Sequence, residues 1–83
     1  MSMCPDLLEA RAMLRARMHW WPDVDAETVA FLDSLPWQER ESVIQVYGHQ
    51  RDVDYAACEL AVAERTLRRY LQSAYEKYAK HVA

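Results

Sequence analysis

Glycine occurs once in these 83 residues, at position 48. That excludes a glycine-rich loop cradling phosphate with its backbone. Cysteine occurs twice, as Cys4 and Cys58, too few and too far apart for a disulfide scaffold or a zinc site. Both read as reduced thiols of a cytosolic protein, with Cys58 on the inner side of a helix. No apolar run approaches the roughly 18 residues of a membrane span. No charged segment leads into a short apolar one, so secretion is not expected either. β-Branched residues are few and do not alternate with polar ones, so no strand is predicted. The three histidines, His19, His49 and His81, lie in separate segments without the spacing of metal ligands. His49 with Asp52 or Asp54 is a conceivable acid–base pair, but a chain this short offers little cavity for a substrate. The two aspartates read instead as helix caps. No enzyme, metal or cofactor is expected.

What the chain has in quantity is Ala, Leu, Glu and Arg, a helix-forming composition. The fold class it predicts is all-α, a compact bundle of about five helices in a single domain over 1–83. A domain of this length buries roughly 60% of the surface its unfolded chain exposes. Three Trp and five Tyr within a 52% apolar composition are more than a small core hides, leaving aromatic surface for a partner. Net charge is −3, which counts against holding nucleic acid by overall charge alone. The charge is nevertheless polarised. Arg65, Arg68, Arg69, Lys77 and Lys80 face one acid, Glu76, while Asp23, Asp25, Glu27, Asp33 and Glu39 have no base among them. Such a molecule can meet DNA with one side and protein with another. The same arrangement also complements helix dipoles.

In chain order, the spacing predicts a first helix over 5–19, opened by Pro5. Its apolar stripe is Leu7, Ala10, Leu14, Met18 and Trp21, with Arg11, Arg15 and Arg17 pointing away. Those arginines either touch phosphate or an acidic partner, or solvate the outer face. A second helix follows over 26–34, capped by Asp25 and stapled by Val24 and Val29, with Val29, Phe31 and Leu32 inward. Pro36 opens a third over 37–47. Its inner face is Trp37, Val43, Ile44 and Tyr47, and its outer face Gln38, Glu41, Ser42 and Gln45. Gly48 is placed like a left-handed residue closing that helix. A polar loop over 49–53 leads to a short helix over 55–60 capped by Asp54. After a break at Ala61, Val62 and Ala63, a long helix runs over 64–81. Leu67, Leu71, Ala74 and Tyr78 form its apolar stripe, with Arg65, Arg68, Arg69 and Gln72 on the other side.

Two helices so joined, the second with a basic outer face, look like a helix-turn-helix. Residues 35–78, LPWQERESVIQVYGHQRDVDYAACELAVAERTLRRYLQSAYEKY, resemble region 4 of the sigma-70 family and related phage modules. Leu35-Pro36, Glu39-Arg40, Tyr47, Asp54-Tyr55, Leu60, Thr66-Leu67, Leu71 and Ala74 carry the likeness. The Thr66–Leu71 segment is similar to small phage transcription regulators, including Q-type antitermination proteins. The chain departs from that pattern at Ala61, where the family has glycine, and at Ala63, where it has a capping serine. Nothing here resembles the sigma region that opens promoters, so a complete sigma factor is not expected.

The spacing gives an N-terminal pair of helices over 5–34, and the resemblance implies a DNA-binding unit over 35–83. Arg65, Arg68, Arg69 and Gln72 would face the major groove, Thr66 the DNA backbone, and Lys77 and Lys80 flanking phosphate. Tyr55 and Tyr70 would pack the motif. Implied partners are double-stranded DNA and RNA polymerase or a sigma factor, with a homodimer wherever the site is palindromic. Trp20, Trp21 and Trp37 are the candidate protein-binding residues; alternatively they plug the junction of the first and third helices. A different use of the same fold is a protein-interaction module that inhibits a host transcription or regulatory protein.

Overall fold

The computed structural model describes residues 5–83. Among them are five α-helices and no strand: α1 Leu7–Met18, α2 Ala26–Asp33, α3 Trp37–Val43, α4 Val53–Glu59 and α5 Glu64–His81. One π-helical turn, Ile44–Gly48, continues α3. Cys4 lies outside the described residues. No helix among the described residues is long and apolar enough to cross a membrane.

Side-chain caps set the starts of the first two helices. Asp6 accepts the Glu9 N–H at 2.8 Å, so α1 opens after Asp6 and Pro5 stands ahead of the cap instead of inside the helix. Asp25 accepts the Thr28 N–H at 2.9 Å, and α2 begins where expected. It closes at Ser34, whose hydroxyl donates to the Phe31 carbonyl at 2.6 Å. The middle of the α1 stripe is buried, with Ala10, Leu14 and Met18 fully so, but Leu7 in the first turn is exposed and Trp21, beyond the helix end, is half-buried.

The short helices turn differently from the expectation. In α2 the buried residues are Thr28, Phe31 and Leu32, whereas Val29 is exposed. At 100° per residue, Val29 stands about 60° beyond Leu32, the nearer edge of the arc those three share. In α3 the buried residues are Glu39, Ser42 and Val43, and Trp37 is 56% exposed. Trp37 lies on the opposite side of the wheel from Glu39, so the apolar residue points out and the polar ones in. Burying them is tolerable because both are bonded. The Ser42 hydroxyl donates to the Gln38 carbonyl at 2.7 Å, and Lys77 Nζ donates to both Glu39 carboxylate oxygens, at 2.9 and 3.0 Å.

The π turn lengthens the third helix by closing i→i+5 bonds, such as the His49 N–H to the Ile44 carbonyl at 2.8 Å. Its consequence is a correction at Gly48, which is not in the left-handed region; Gln50 takes that conformation, with φ 55°. The reason for glycine is spatial instead. A Cβ at position 48 would lie 2.9 Å from Trp21 Cγ, so the missing side chain makes room for an indole ring 27 residues earlier in the chain.

α4 starts at Val53, two residues earlier than expected. Its N-cap is Asp52, without a side-chain cap bond, while Asp54 Oδ1 accepts the adjacent Tyr55 N–H. The helix ends in two bonds that turn the chain sharply: Ala61 N–H to Cys58 carbonyl at 3.1 Å, and Val62 N–H to Ala57 carbonyl at 2.9 Å. This pairing requires a left-handed residue at the first position past the cap, and Ala61 supplies it with φ 55°. Ala63 then caps α5 without a side-chain bond.

α5 is the element around which the others pack, touching α1, α3 and α4. Its Leu71, Ala74, Tyr78 and Ala79 join Ala10, Leu14, Met18, Phe31, Leu32, Leu35, Val43 and Tyr47 in one large core. The rings of Phe31 and Tyr78 meet edge to face at 4.9 Å. A separate, smaller cluster under α4 contains Ala56, Ala57 and Leu67. Cys58 is exposed, a correction that follows from Ala56 and Ala57 occupying the inner arc of α4.

Candidate nucleic-acid interface

Once Leu67, Leu71, Ala74 and Tyr78 are buried, helical geometry fixes what α5 turns outward. Arg65, Arg68, Arg69 and Gln72 are all exposed. Arg68 pairs with Glu64 at 3.8 Å, with both side chains largely in solvent, a contact that restrains the guanidinium weakly. Gln72 Nε2 reaches Glu76 Oε1 at 3.5 Å. Arg65 and Arg69 have no carboxylate partner among the described residues. Thr66 is half-buried in the first turn.

Lys77 is placed differently from the other basic residues. Its bonds to Glu39 tie α5 to α3, so it holds the scaffold together, whereas Lys80 stays exposed. His81 Nε2 lies 3.6 Å from Glu27 Oε1, linking the end of α5 to α2. His49, Asp52 and Asp54 are exposed. Tyr70 is half-buried, but Tyr55 is 43% exposed and carries the Arg51 guanidinium 4.5 Å above its ring. Tyr55 is thus a surface platform instead of packing for the motif.

Beside the outer face of α5 runs a groove of about 720 Å³, bounded by α1, the π turn with the loop that follows it to the start of α4, and α5 itself. Arg11 and Arg15 enter it from α1, Arg51 from the loop and Arg68 from α5, with Tyr47 and Tyr75 between them. No Asp or Glu is among the described residues that line it. The Tyr47 and Tyr75 hydroxyls are hydrogen-bonded to each other. The Arg11 side chain engages Tyr47, and this contact raises the Arg11 pKa above its ordinary value. Tyr75 also titrates above the usual tyrosine range, first because it is buried and second through its bond to Tyr47. The Tyr75 phenol therefore stays neutral, and the Arg11 guanidinium charged, near neutral pH.

Sequence reasoning placed the α5 residues but not this groove. Arg11, Arg15 and His19 recur at steps of four and so share a ridge of α1; nothing in the spacing says that α5 faces that ridge. The tryptophans divide. Trp21 is half-buried against the core and Gly48. Trp20 is 73% exposed, its ring set edge-on to His19 at 4.7 Å, and Trp37 is 56% exposed. Comparison with known proteins finds no matching family model, no similar curated protein and no similar solved structure.

Proposed function

We propose that this chain is a small transcription regulator that binds double-stranded DNA, using α4, the turn at 60–63 and α5 as a helix-turn-helix. In this reading α5 lies in the major groove and α4 crosses the DNA backbone. The observation that carries it is the exposed row Arg65, Arg69 and Gln72, backed by a fully buried apolar stripe on the same helix. Arginine pairs bidentately with guanine and glutamine with adenine, each good pair discriminating by about 1–3 kcal/mol. The left-handed Ala61 supports the reading as well, because it closes α4 in the geometry that glycine serves in the sigma region 4 pattern. That likeness to small phage regulators suggests a role in initiation or antitermination.

The test is selection from a random duplex pool at two salt concentrations, repeated with the double variant Arg65→Ala/Arg69→Ala. Enrichment of a motif that the variant no longer selects, with folding unchanged, is the expected result. Equal enrichment by both proteins would overturn the assignment.

A second reading has its own observation. Trp20 and Trp37 stay largely in solvent, and tryptophan is a frequent anchor of protein interfaces. Under it, the fold holds RNA polymerase, a sigma factor or another regulatory protein, with or without DNA. Specific DNA selection, unchanged in Trp20→Ala and Trp37→Ala and with no protein partner recovered, would count against it.

A further inference from the structure

We infer that the groove between α1 and α5 is a phosphate clamp, in which Arg11, Arg15 and Arg51 hold the DNA backbone beside the bases read by α5. This rests on the DNA-binding reading and extends it to residues outside the helix-turn-helix.

The first argument is the charge around those residues. The chain has 13 acids and 10 Lys or Arg residues, so carboxylates are not scarce. Elsewhere they are used: Arg17 pairs with Asp25 at 3.3 Å and Lys77 with Glu39. Yet Arg11 and Arg15 have no carboxylate partner among the described residues, and none lines the groove. Arg11 and Arg15 also stand four apart on one helix, where like charges repel. An anion in the groove relieves that repulsion.

The second argument is continuity. Arg68 and Gln72 belong both to the outer side of α5 and to the groove lining. A duplex seated on α5 therefore brings its flanking strand to the same walls. Along α1, Arg11 and Arg15 are about 6 Å apart in rise, so each can take a separate phosphate. The groove also presents guanidinium groups, whose flat fork matches phosphate oxygens. DNA interfaces are strongly positive, and no carboxylate among the described residues lines the groove to offset Arg11, Arg15, Arg51 and Arg68.

Phosphate contacts position the protein without reading sequence, which sets the test. Arg11→Ala/Arg15→Ala is compared with the unaltered chain on the selected duplex across a salt series. Each lost phosphate contact lowers the slope of log affinity against log salt by about 0.9. The double variant should therefore bind more weakly on every sequence and keep the same preferred motif. Its affinity should fall about tenfold less than that of the unaltered chain between 50 and 200 mM salt. Because Arg11 also touches Tyr47, Arg15→Ala and Arg51→Ala each provide a test that leaves that contact in place, with a slope loss of about one apiece.

Unchanged slope and affinity in these variants, while Arg65→Ala/Arg69→Ala still abolishes selection, would overturn the clamp and leave the DNA reading intact. So would the variants losing an acidic protein partner with DNA binding unaltered. An unaltered chain that does not bind DNA would overturn both.

Discussion

The two apolar clusters among the described residues are built to different standards. The large one gathers Leu14, Met18, Phe31, Val43, Leu71 and Tyr78 from four elements into a closed core. The small one, under α4, has two alanines and Leu67, with Val46, Val53, Leu60 and Val62 partly buried at its edge. Burying a side chain the size of Leu or Phe stabilises by roughly 1.5–3 kcal/mol, and an alanine contributes far less. The orientation of α4 therefore rests on one large buried side chain, Leu67, and on the backbone of the turn. The region proposed to cross DNA is the one the core supports least. It is expected to open locally before the rest unfolds.

Removing a large side chain from each cluster breaks that comparison most directly. Phe31→Ala empties a position only 2% exposed and should cost about 3–5 kcal/mol of global stability. That is a large part of what a domain this small possesses. Leu67→Ala should cost about 2–5 kcal/mol locally, felt first as faster amide hydrogen exchange in α4 while α1 stays protected. Denaturant titration with residue-resolved exchange separates the two. Equal loss of protection in α1 and α4 from Leu67→Ala would show that the clusters are one unit.

Gly48→Ala tests the large cluster from another side. The added Cβ meets Trp21, and overpacking of this kind costs about 1–3 kcal/mol. Lower stability with altered tryptophan fluorescence is expected. If the stability change were negligible, Trp21 would have room to shift.

The same contrast explains what could be read in the sequence. α5 was legible because eighteen residues repeat the apolar period often enough to fix its face. α2, α3 and α4 have seven or eight residues each, two turns that leave the inner arc ambiguous. There apolar identity misled: Val29 and Trp37 are apolar but outside, while Ser42 and Glu39 are polar but inside, Ser42 satisfied by the carbonyl one turn back and Glu39 by Lys77 on a distant helix. Gly48 looked like a turn residue, yet its cause is a tryptophan on another element. The groove was invisible for the same reason, since its walls come from segments far apart in the chain.

Smaller effects should strengthen the weaker region. Ala61 is held at φ 55°, a conformation costing a residue with a Cβ about 1–2 kcal/mol. Ala61→Gly removes that strain but loosens the unfolded chain, for a net gain of about 1 kcal/mol. Ala63→Ser supplies the missing cap of α5, worth about another 1 kcal/mol. Both gains should appear in thermal melts and as slower exchange in α4. A loss of stability in Ala61→Gly would mean that the turn does not rest in the left-handed region.

Acid separates the two regions most finely. α2, on the large core, starts from a carboxylate cap, whereas α4 and α5 have no side-chain cap bond. Asp25 titrates below the usual aspartate range, chiefly through its bond to the Thr28 side chain, then through the Thr28 N–H, with nearby Arg17 adding to it. A depressed carboxyl pKa means that its stabilising contribution is complete above the unfolded-state value and disappears as pH falls through the folded one. The Thr28 amide should therefore lose protection with a midpoint below that of an ordinary aspartate, while the Leu67 amide, behind an alanine cap, shows no matching step. Asp25→Asn keeps an oxygen acceptor at the cap and should abolish the step at Thr28. Its persistence in that variant would place the titrating group elsewhere.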